Sequence, residues 1–260
     1  MITDLFTANV ILGILASGIR LATPYLYAAI GETFGQRSGV LNLGVEGQVL
    51  LGAFAGFYVT FNTNSPWLGL LAAILVGALM GLIMGLISVT LHAEQGISGI
   101  GVYLFGLGMS DLLFQKTIGS VETVKGFQPI HIPWLSDLPV VGEVFFQHNV
   151  LVYLAFLLVP VSWFVLNKTT LGLKIRAVGE NPEAADSLGV NVKGIRYFTC
   201  TLGGVLSSIA GASLSIALLN VFQQNLTSGQ GFIAVALVYF GGWRPLGVML
   251  GSLLFSMVNS

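Results

Sequence analysis

The stretch VGALMGLIMGLISV, residues 76–89, is apolar on every side of a helix and lies within a run from Gly47 to Ala93 that contains no Asp, Glu, Lys or Arg. Only α-helices and closed β-barrels satisfy their backbone hydrogen bonds within lipid. A transmembrane β-strand would alternate apolar and polar residues over about ten positions. The stretch does not alternate, so it predicts a membrane-spanning helix and an all-α fold.

The rest of the chain has the same character. Of its 260 residues, 55% are hydrophobic and 8% are charged, whereas soluble domains carry about a quarter charged residues. A second uncharged run extends from Tyr197 to Trp243, and each run can hold two apolar segments of about 20 residues. We therefore predict one transmembrane domain over residues 1–260, a polytopic helical bundle of about eight spans that can include broken or re-entrant helices.

The candidate spans are separated by turn chemistry. They cover roughly residues 8–30, 39–60, 67–90, 97–115, 149–166, 195–218 and 231–246, with an incomplete eighth from residue 247. Residues 61–67 form an Asn/Ser/Pro turn, and residues 116–148 form a loop with Pro129, Pro133 and Pro139. The last apolar stretch stops at Ser260, too short to cross a bilayer, so we expect a truncated C terminus.

Basic residues predict the orientation, because cytoplasmic loops collect Lys and Arg. If the polar segment after the fifth span is cytoplasmic, seven basic residues lie inside: Arg37, Lys168, Lys174, Arg176, Lys193, Arg196 and Arg244. Lys116 and Lys125 lie outside, and Arg20 falls within a span. This bias places the N terminus outside.

Composition excludes several kinds of site. The net charge of −1 does not favour a nucleic-acid partner, and one cysteine, Cys200, cannot form an intrachain disulfide or a four-cysteine metal site. We expect no metal and no catalytic residues. GISG, residues 96–99, resembles the nucleophile motif of rhomboid intramembrane proteases, but Ser98 has no histidine in the middle of a neighbouring span. The three histidines are His92, His131 and His148.

The polar stretch RAVGENPEAADSLGVNV, residues 176–192, predicts a short helix over residues 182–188. Asn181 suits the N-cap, Pro182 the first helical position, Glu183 the positive end of the helix dipole, and Gly189 the end of the helix. A helix this short is unstable alone, so its apolar side chains must dock. Ala184, Ala185 and Leu188 could pack on the chain's own cytoplasmic surface or in a groove on a partner.

Polar side chains also cluster near the start of the second span. Residues 31–48 include Glu32, Arg37, Asn42, Glu46 and Gln48, and ionisable groups at membrane depth usually face a partner or a watery cavity. Asn42, Glu46 and Gln48 are therefore candidates for a translocation path beside a broken helix. The alternative is structural: Glu46 pairs with Arg20 or caps a helix.

Three blocks resemble permeases of ABC importers in the branched-chain amino acid, ribose and nucleoside group, specifically its nucleoside and simple-sugar permeases. They are GETFGQRSGVLNLGVEGQVLLGAFAGF (31–57), TTLGLKIRAVGENPEAADSLGVNV (169–192) and GFIAVALVYFGGWRPLG (231–247). They occur in the family's order, and the resemblance covers nearly the whole chain. It implies a multi-pass permease in the bacterial inner membrane that imports a nucleoside or, second, ribose or another simple sugar.

The resemblance also implies partners: separate ATPase subunits, a second permease subunit that is a paralogue, and an extracytoplasmic solute-binding lipoprotein. The sequence contains no G-x-x-x-x-G-K-[ST] phosphate loop, so we expect no cofactor on this chain and ATP on the partner. The cytoplasmic segment of about 167–194 then couples the permease to the ATPase. Its coupling residues are Arg176, Asn181, Pro182, Glu183, Ala184, Ala185, Asp186, Leu188 and Gly189. An ATP-independent secondary transporter or channel is the alternative, and it would need no coupling segment.

Overall fold

The computed structural model describes residues 8–130 and 145–259, with side chains from residue 12 onward. Within these residues the chain forms ten α-helices and no strand beyond one isolated bridge between Thr123 and Val221. The helices are α1 (Ala8–Arg37), α2 (Val45–Thr63), α3 (Pro66–Gly85), α4 (Gln95–Thr117), α5 (Val150–Lys168), α6 (Thr170–Glu180), α7 (Pro182–Ser187), α8 (Val192–Ser213), α9 (Gln230–Phe240) and α10 (Pro245–Val258). The prediction of an all-α membrane bundle is confirmed.

Four helical segments of the described chain are long and apolar enough to cross a membrane: Pro66–Thr90, Gln95–Thr117, Val150–Lys168 and Val192–Leu218. The first and last include π-helical ends, Leu86–Thr90 and Leu214–Leu218. By contrast, α2 and the second half of α1 are buried among the other helices. This placement explains why α1 and α2 can carry the polar residues that a lipid-facing helix excludes.

Two predicted spans have the wrong boundaries. Helix α2 begins at Val45 rather than near residue 39, because residues 38–44 leave helical geometry at Gly39, whose φ is 81°. The predicted span 231–246 is instead the short helix α9 followed by a turn, in which Gly242 and Trp243 have positive φ. Pro245 then opens α10, since proline favours the first position of a helix.

The bundle has one basic end. Arg37 at the end of α1 binds the Trp243 carbonyl, and Arg196 at the start of α8 binds the Ser38 carbonyl. At the opposite end, residues 121–130 pack on the end of α8, where the Phe127 amide donates to Ile216. The structure thus gathers residues predicted to be cytoplasmic at one end. Pro133, Pro139 and His131 of the predicted outer loop lie outside the described residues.

Helices α2, α3 and α8 form a glycine-packed wall. A Cβ added to Gly77 of α3 would lie 2.5 Å from the Gly204 carbonyl oxygen of α8. A Cβ added to Gly52 of α2 would lie 2.4 Å from the Ser208 Cα of the same helix α8. Small residues at this spacing allow close helix approach in membranes. These glycines therefore allow the three helices to pack closely together.

Candidate functional site

The Glu46 carboxylate joins the starts of two helices that are distant in sequence. Glu46 lies in the first turn of α2, and its oxygens accept hydrogen bonds from the Thr227 hydroxyl (2.5 Å) and from the backbone N–H groups of Gly229 (2.8 Å) and Gly231 (2.5 Å). Gly229 and Gly231 flank the first residue of α9. A carboxylate at a helix N-terminus satisfies unpaired N–H groups and complements the helix dipole. Glu46 therefore caps α9 from another helix.

This contact lies deep in the bundle. Gly47, next to Glu46, packs on the middle of α4, where a Cβ on Gly106 would approach the Gly47 Cα to 2.4 Å. Residues 38–44 lead inward from the basic end to reach this depth, and residues 219–229 precede α9 in the same non-helical way. The site therefore consists of two helices that both begin inside the protein.

A second set of hydrogen bonds runs from the basic end to Gln48, which lies two residues from Glu46 in α2. The Glu32 carboxylate accepts from the Gln36 amide (3.0 Å) and from the backbone N–H of Asn42 (3.0 Å). The Asn42 amide donates to the Gln48 side chain at 3.1 Å, and Trp243 donates from its indole to Gln36 at 2.7 Å. We call these five side chains, with Glu46 and residues 227–231, the polar seam.

The three predicted path residues are covered in this structure. Asn42, Glu46 and Gln48 expose 6%, 1% and 0% of their surfaces. The Gln48 amide nitrogen Nε2 has no hydrogen-bond partner although it is buried, and a buried unsatisfied donor is costly. The path role thus remains a prediction, and in this closed arrangement all three side chains contact protein.

Of the two structural alternatives for Glu46, the structure contains helix capping but not the pair with Arg20. The helix-capping alternative matches the geometry, because the carboxylate caps α9. The suggested partner Arg20 instead donates to the Ser17 hydroxyl at 3.3 Å. The neighbouring Gly44 and Gly47 do not loosen α2. Because they have no side chains, α4 can pack directly on this part of α2: a Cβ on Gly44 would lie 2.7 Å from the Val102 side chain.

The coupling segment folds into α6 and α7 at the basic end. Asn181 caps α7 as predicted, because its side chain accepts from the Ala184 N–H at 3.0 Å, and Pro182 occupies the first helical position. Helix α7 ends one residue earlier than predicted, at Ser187, before Gly189 with φ of 79°.

The predicted apolar face of α7 is divided. Ala185 is 3% exposed and packs within its own chain, so it does not belong to an outward face. Leu188 is 84% exposed, and Ala184, Glu183 and Asp186 are also exposed. Ala185 thus follows the alternative of packing on the chain's own surface, while Leu188 projects beyond the bundle where a partner can bind it.

The protease alternative loses its geometric basis. Ser98 lies in the first turn of α4 and its hydroxyl donates to the Glu94 carbonyl at 2.6 Å. His148 lies at the opposite end of the bundle, and His131 lies outside the described residues. The N–H groups of Ile97 and Gly96 donate to the Glu94 carboxylate and hold its pKa below its usual range. Glu94 therefore caps the start of α4.

Sequence reasoning missed parts of the seam. Thr227 and Gly231 contact Glu46 across more than 180 positions, a separation that no local motif reveals. No local pattern links Trp243 to Gln36, which is 207 positions away. Asp111 could have been found from the sequence, because it is an acidic residue inside an apolar span; its Oδ1 is buried without a partner.

A helical membrane bundle in which two helices begin in the interior is consistent with a transport permease. Residues 14–260 match the family model described as branched-chain amino acid transport system / permease component. The chain belongs to this family, and the expected relation to this group of ABC-importer permeases is confirmed.

Named relatives match most of the chain. It is 40% identical over 95% of its length to the putative glucose ABC transporter permease protein TsgC13 of Haloferax volcanii, covering 76% of that protein. It is 37% identical over 92% of its length to the guanosine ABC transporter permease protein NupQ of Bacillus subtilis, covering 78%. It is 36% identical over 95% of its length to the nucleoside ABC transporter permease protein NupC of Lactococcus lactis, covering 81%. No solved structure matches the chain.

Proposed function

We propose that this chain is a permease subunit of an ABC importer that carries a nucleoside across the bacterial inner membrane. The observation that carries this proposal is the similarity, over nearly the whole chain, to permeases named for guanosine and nucleosides. An extracytoplasmic binding lipoprotein would deliver the nucleoside, and separate ATPase subunits would bind and hydrolyse ATP. This chain itself would bind no cofactor.

The second permease subunit in this proposal is a paralogue. Bacillus subtilis has, besides NupQ, a guanosine ABC transporter permease protein NupP that is 27% identical to this chain over 91% of its length. Two such permeases named for one substrate in one organism support a heterodimer. The path would then run beside the polar seam, whose covered state corresponds to a closed carrier.

Helix α7 is the proposed docking point of the ATPase. It is capped by Asn181, which stabilises a helix too short to persist alone. The exposed Leu188 is an apolar side chain at the basic end of the bundle, and burial in a groove would give it about 1.5–3 kcal/mol of binding free energy. Arg176 on α6 donates to the Gly172 carbonyl at 3.5 Å and faces the same end.

Substrate class is tested by uptake of radiolabelled guanosine into cells that lack other nucleoside transporters and produce the complete importer. We expect uptake that excess adenosine or inosine reduces and excess glucose or ribose does not. If glucose competes and nucleosides do not, the similarity to the putative glucose permease indicates the substrate instead. Uptake that persists without the ATPase would support the secondary-transporter alternative.

Docking is tested with Leu188→Glu against Leu188→Met. Glutamate places a charge in the groove, so we expect about thirtyfold weaker retention of the ATPase during purification, corresponding to about 2 kcal/mol. Methionine keeps the apolar volume and should retain the ATPase. Both variants should accumulate normally in the membrane because Leu188 makes little contact with its own chain. Equal retention by both variants would place the ATPase elsewhere.

A further inference from the structure

A cavity of about 670 Å³ opens at the basic end of the bundle, between α5, α6 and the turn that joins α9 to α10. Its lining combines three arginines with two tryptophans: Arg37, Arg176, Arg244, Trp163 and Trp243. Neither the coupling helix α7 nor the buried carboxylate Glu46 lines it. Among the residues discussed above, the cavity shares Trp243 with the polar seam and Arg176 with the predicted coupling segment.

The charges around this cavity are unbalanced. The positive charges of Arg176 and Arg244 repel that of Arg37, and the negative charge of the Glu180 carboxylate attracts it. Arg37 is held in place because its Nε donates to the Trp243 carbonyl at 3.1 Å. Three cations facing one carboxylate leave an excess of positive charge, which suits a phosphate group.

The cavity lies at the level where apolar helix surface ends. Helix α5 ends at Lys168, whose ammonium lies 6.0 Å from the centre of the Trp163 ring, and α10 begins at Pro245 directly after Arg244. Tryptophan is enriched at the boundary between lipid and water. The arginines therefore face the headgroup region, and the tryptophans mark its depth.

Apolar surface continues from the cavity into the membrane. One turn from the cavity toward the middle of the bundle, Pro160 of α5 and Leu250 of α10 are exposed apolar side chains. A ligand here meets cations at one end and lipid-facing apolar helix surface at the other.

We propose that this cavity binds the headgroup of an anionic phospholipid of the cytoplasmic leaflet. Basic pockets between transmembrane helices on the cytoplasmic side suit such headgroups. A lipid matches both parts of the site, since its phosphate would contact the arginines while an acyl chain would lie along the exposed apolar surface of α5 and α10. A free phosphate would use only the first part. The proposal does not depend on the transported substrate.

The test measures lipid retained by the purified importer complex, by native mass spectrometry after incubation in mixed vesicles of phosphatidylglycerol and phosphatidylethanolamine. Arg244→Gln removes one of the three positive charges that line the cavity. Lys116→Gln removes an equal charge in the last turn of α4, at the opposite end. We expect Arg244→Gln to retain about fivefold less phosphatidylglycerol and Lys116→Gln to match the unaltered complex.

Three results would overturn the proposal. One is equal retention of phosphatidylglycerol and phosphatidylethanolamine by the unaltered complex. Another is displacement of phosphatidylglycerol by millimolar inorganic phosphate, which would indicate a site for free anions. The third is loss of the ATPase from Arg244→Gln with unchanged lipid, which would assign the cavity to an acidic segment of that subunit.

Discussion

Helices α3 and α8 meet through glycine backbones in the glycine-packed wall, whereas α2 and α9 meet through a glycine and a hydrogen-bonded carboxylate in the polar seam. In the wall, Gly77 and Gly204 approach so closely that no side chain fits between the helices. In the seam, Gly231 also packs on the Glu46 backbone, but the Glu46 carboxylate adds three hydrogen bonds to the contact. Close packing permits few alternative arrangements, while hydrogen bonds can be exchanged for bonds to water or substrate. We therefore expect transport motion to be concentrated in the seam.

The largest effect is expected in the wall, from Gly77→Leu. The added side chain would clash with the Gly204 carbonyl and Ser208, so we expect a loss of about 3 kcal/mol or more and little folded protein. The matched control is Gly101→Leu on α4, where an added Cβ meets nothing within 4 Å. Fluorescence-detected size-exclusion chromatography of heated samples compares the two. If both variants are equally stable, the wall is not close-packed.

The next effect is expected in the seam, from Glu46→Gln. The amide NH₂ faces the same N–H groups that the carboxylate accepts from, so we expect a loss of about 1–3 kcal/mol of stability and strongly reduced uptake. Accumulation in the membrane should remain sufficient for assembly. The control Glu122→Gln alters an exposed carboxylate that accepts from the Ser120 hydroxyl. Failure of Glu46→Gln to accumulate would assign Glu46 a purely structural role.

A smaller effect is expected from Thr227→Val, which removes one of the three donors and keeps the shape of the side chain. Gly229 and Gly231 continue to bind Glu46, so the loss should be about 1 kcal/mol. Uptake should lie between that of the unaltered chain and that of Glu46→Gln. An effect as large as that of Glu46→Gln would mean that loss of one hydrogen bond to Glu46 disrupts the other two.

The wall and the seam also differed in how well the sequence predicted them. Continuous apolar stretches predicted α3, α4, α5 and α8 to within a few residues, because lipid imposes composition on the helices that it contacts. The cap of α7 followed from adjacent residues, Asn181 and Pro182. These features depend on local chemistry alone.

The seam depends on distant contacts and was predicted less well. Residues 38–44 look apolar enough for a helix, but Gln95 accepts a hydrogen bond from the Leu41 N–H and Glu32 accepts one from Asn42. These bonds replace the helical ones, and they come from other parts of the chain. The sequence identified Glu46 as unusual, whereas its partner α9 became visible only in the folded chain. The choice between the two docking alternatives for Ala185 also depended on the folded chain, which covers this side chain.

The most direct test of the account compares crosslinks across the seam and the wall. With Cys200→Ser as background, cysteines replace Gln36 and Trp243, whose side chains are hydrogen-bonded at 2.7 Å across the seam. A second pair replaces Thr90 and Tyr197, bonded at 2.6 Å between the end of the α3 segment and α8. After reaction with a short bifunctional thiol reagent, the account predicts that the seam crosslink abolishes uptake until it is reduced, while the wall crosslink leaves uptake intact. Full uptake by the crosslinked seam, or its loss on crosslinking the wall, would contradict the account.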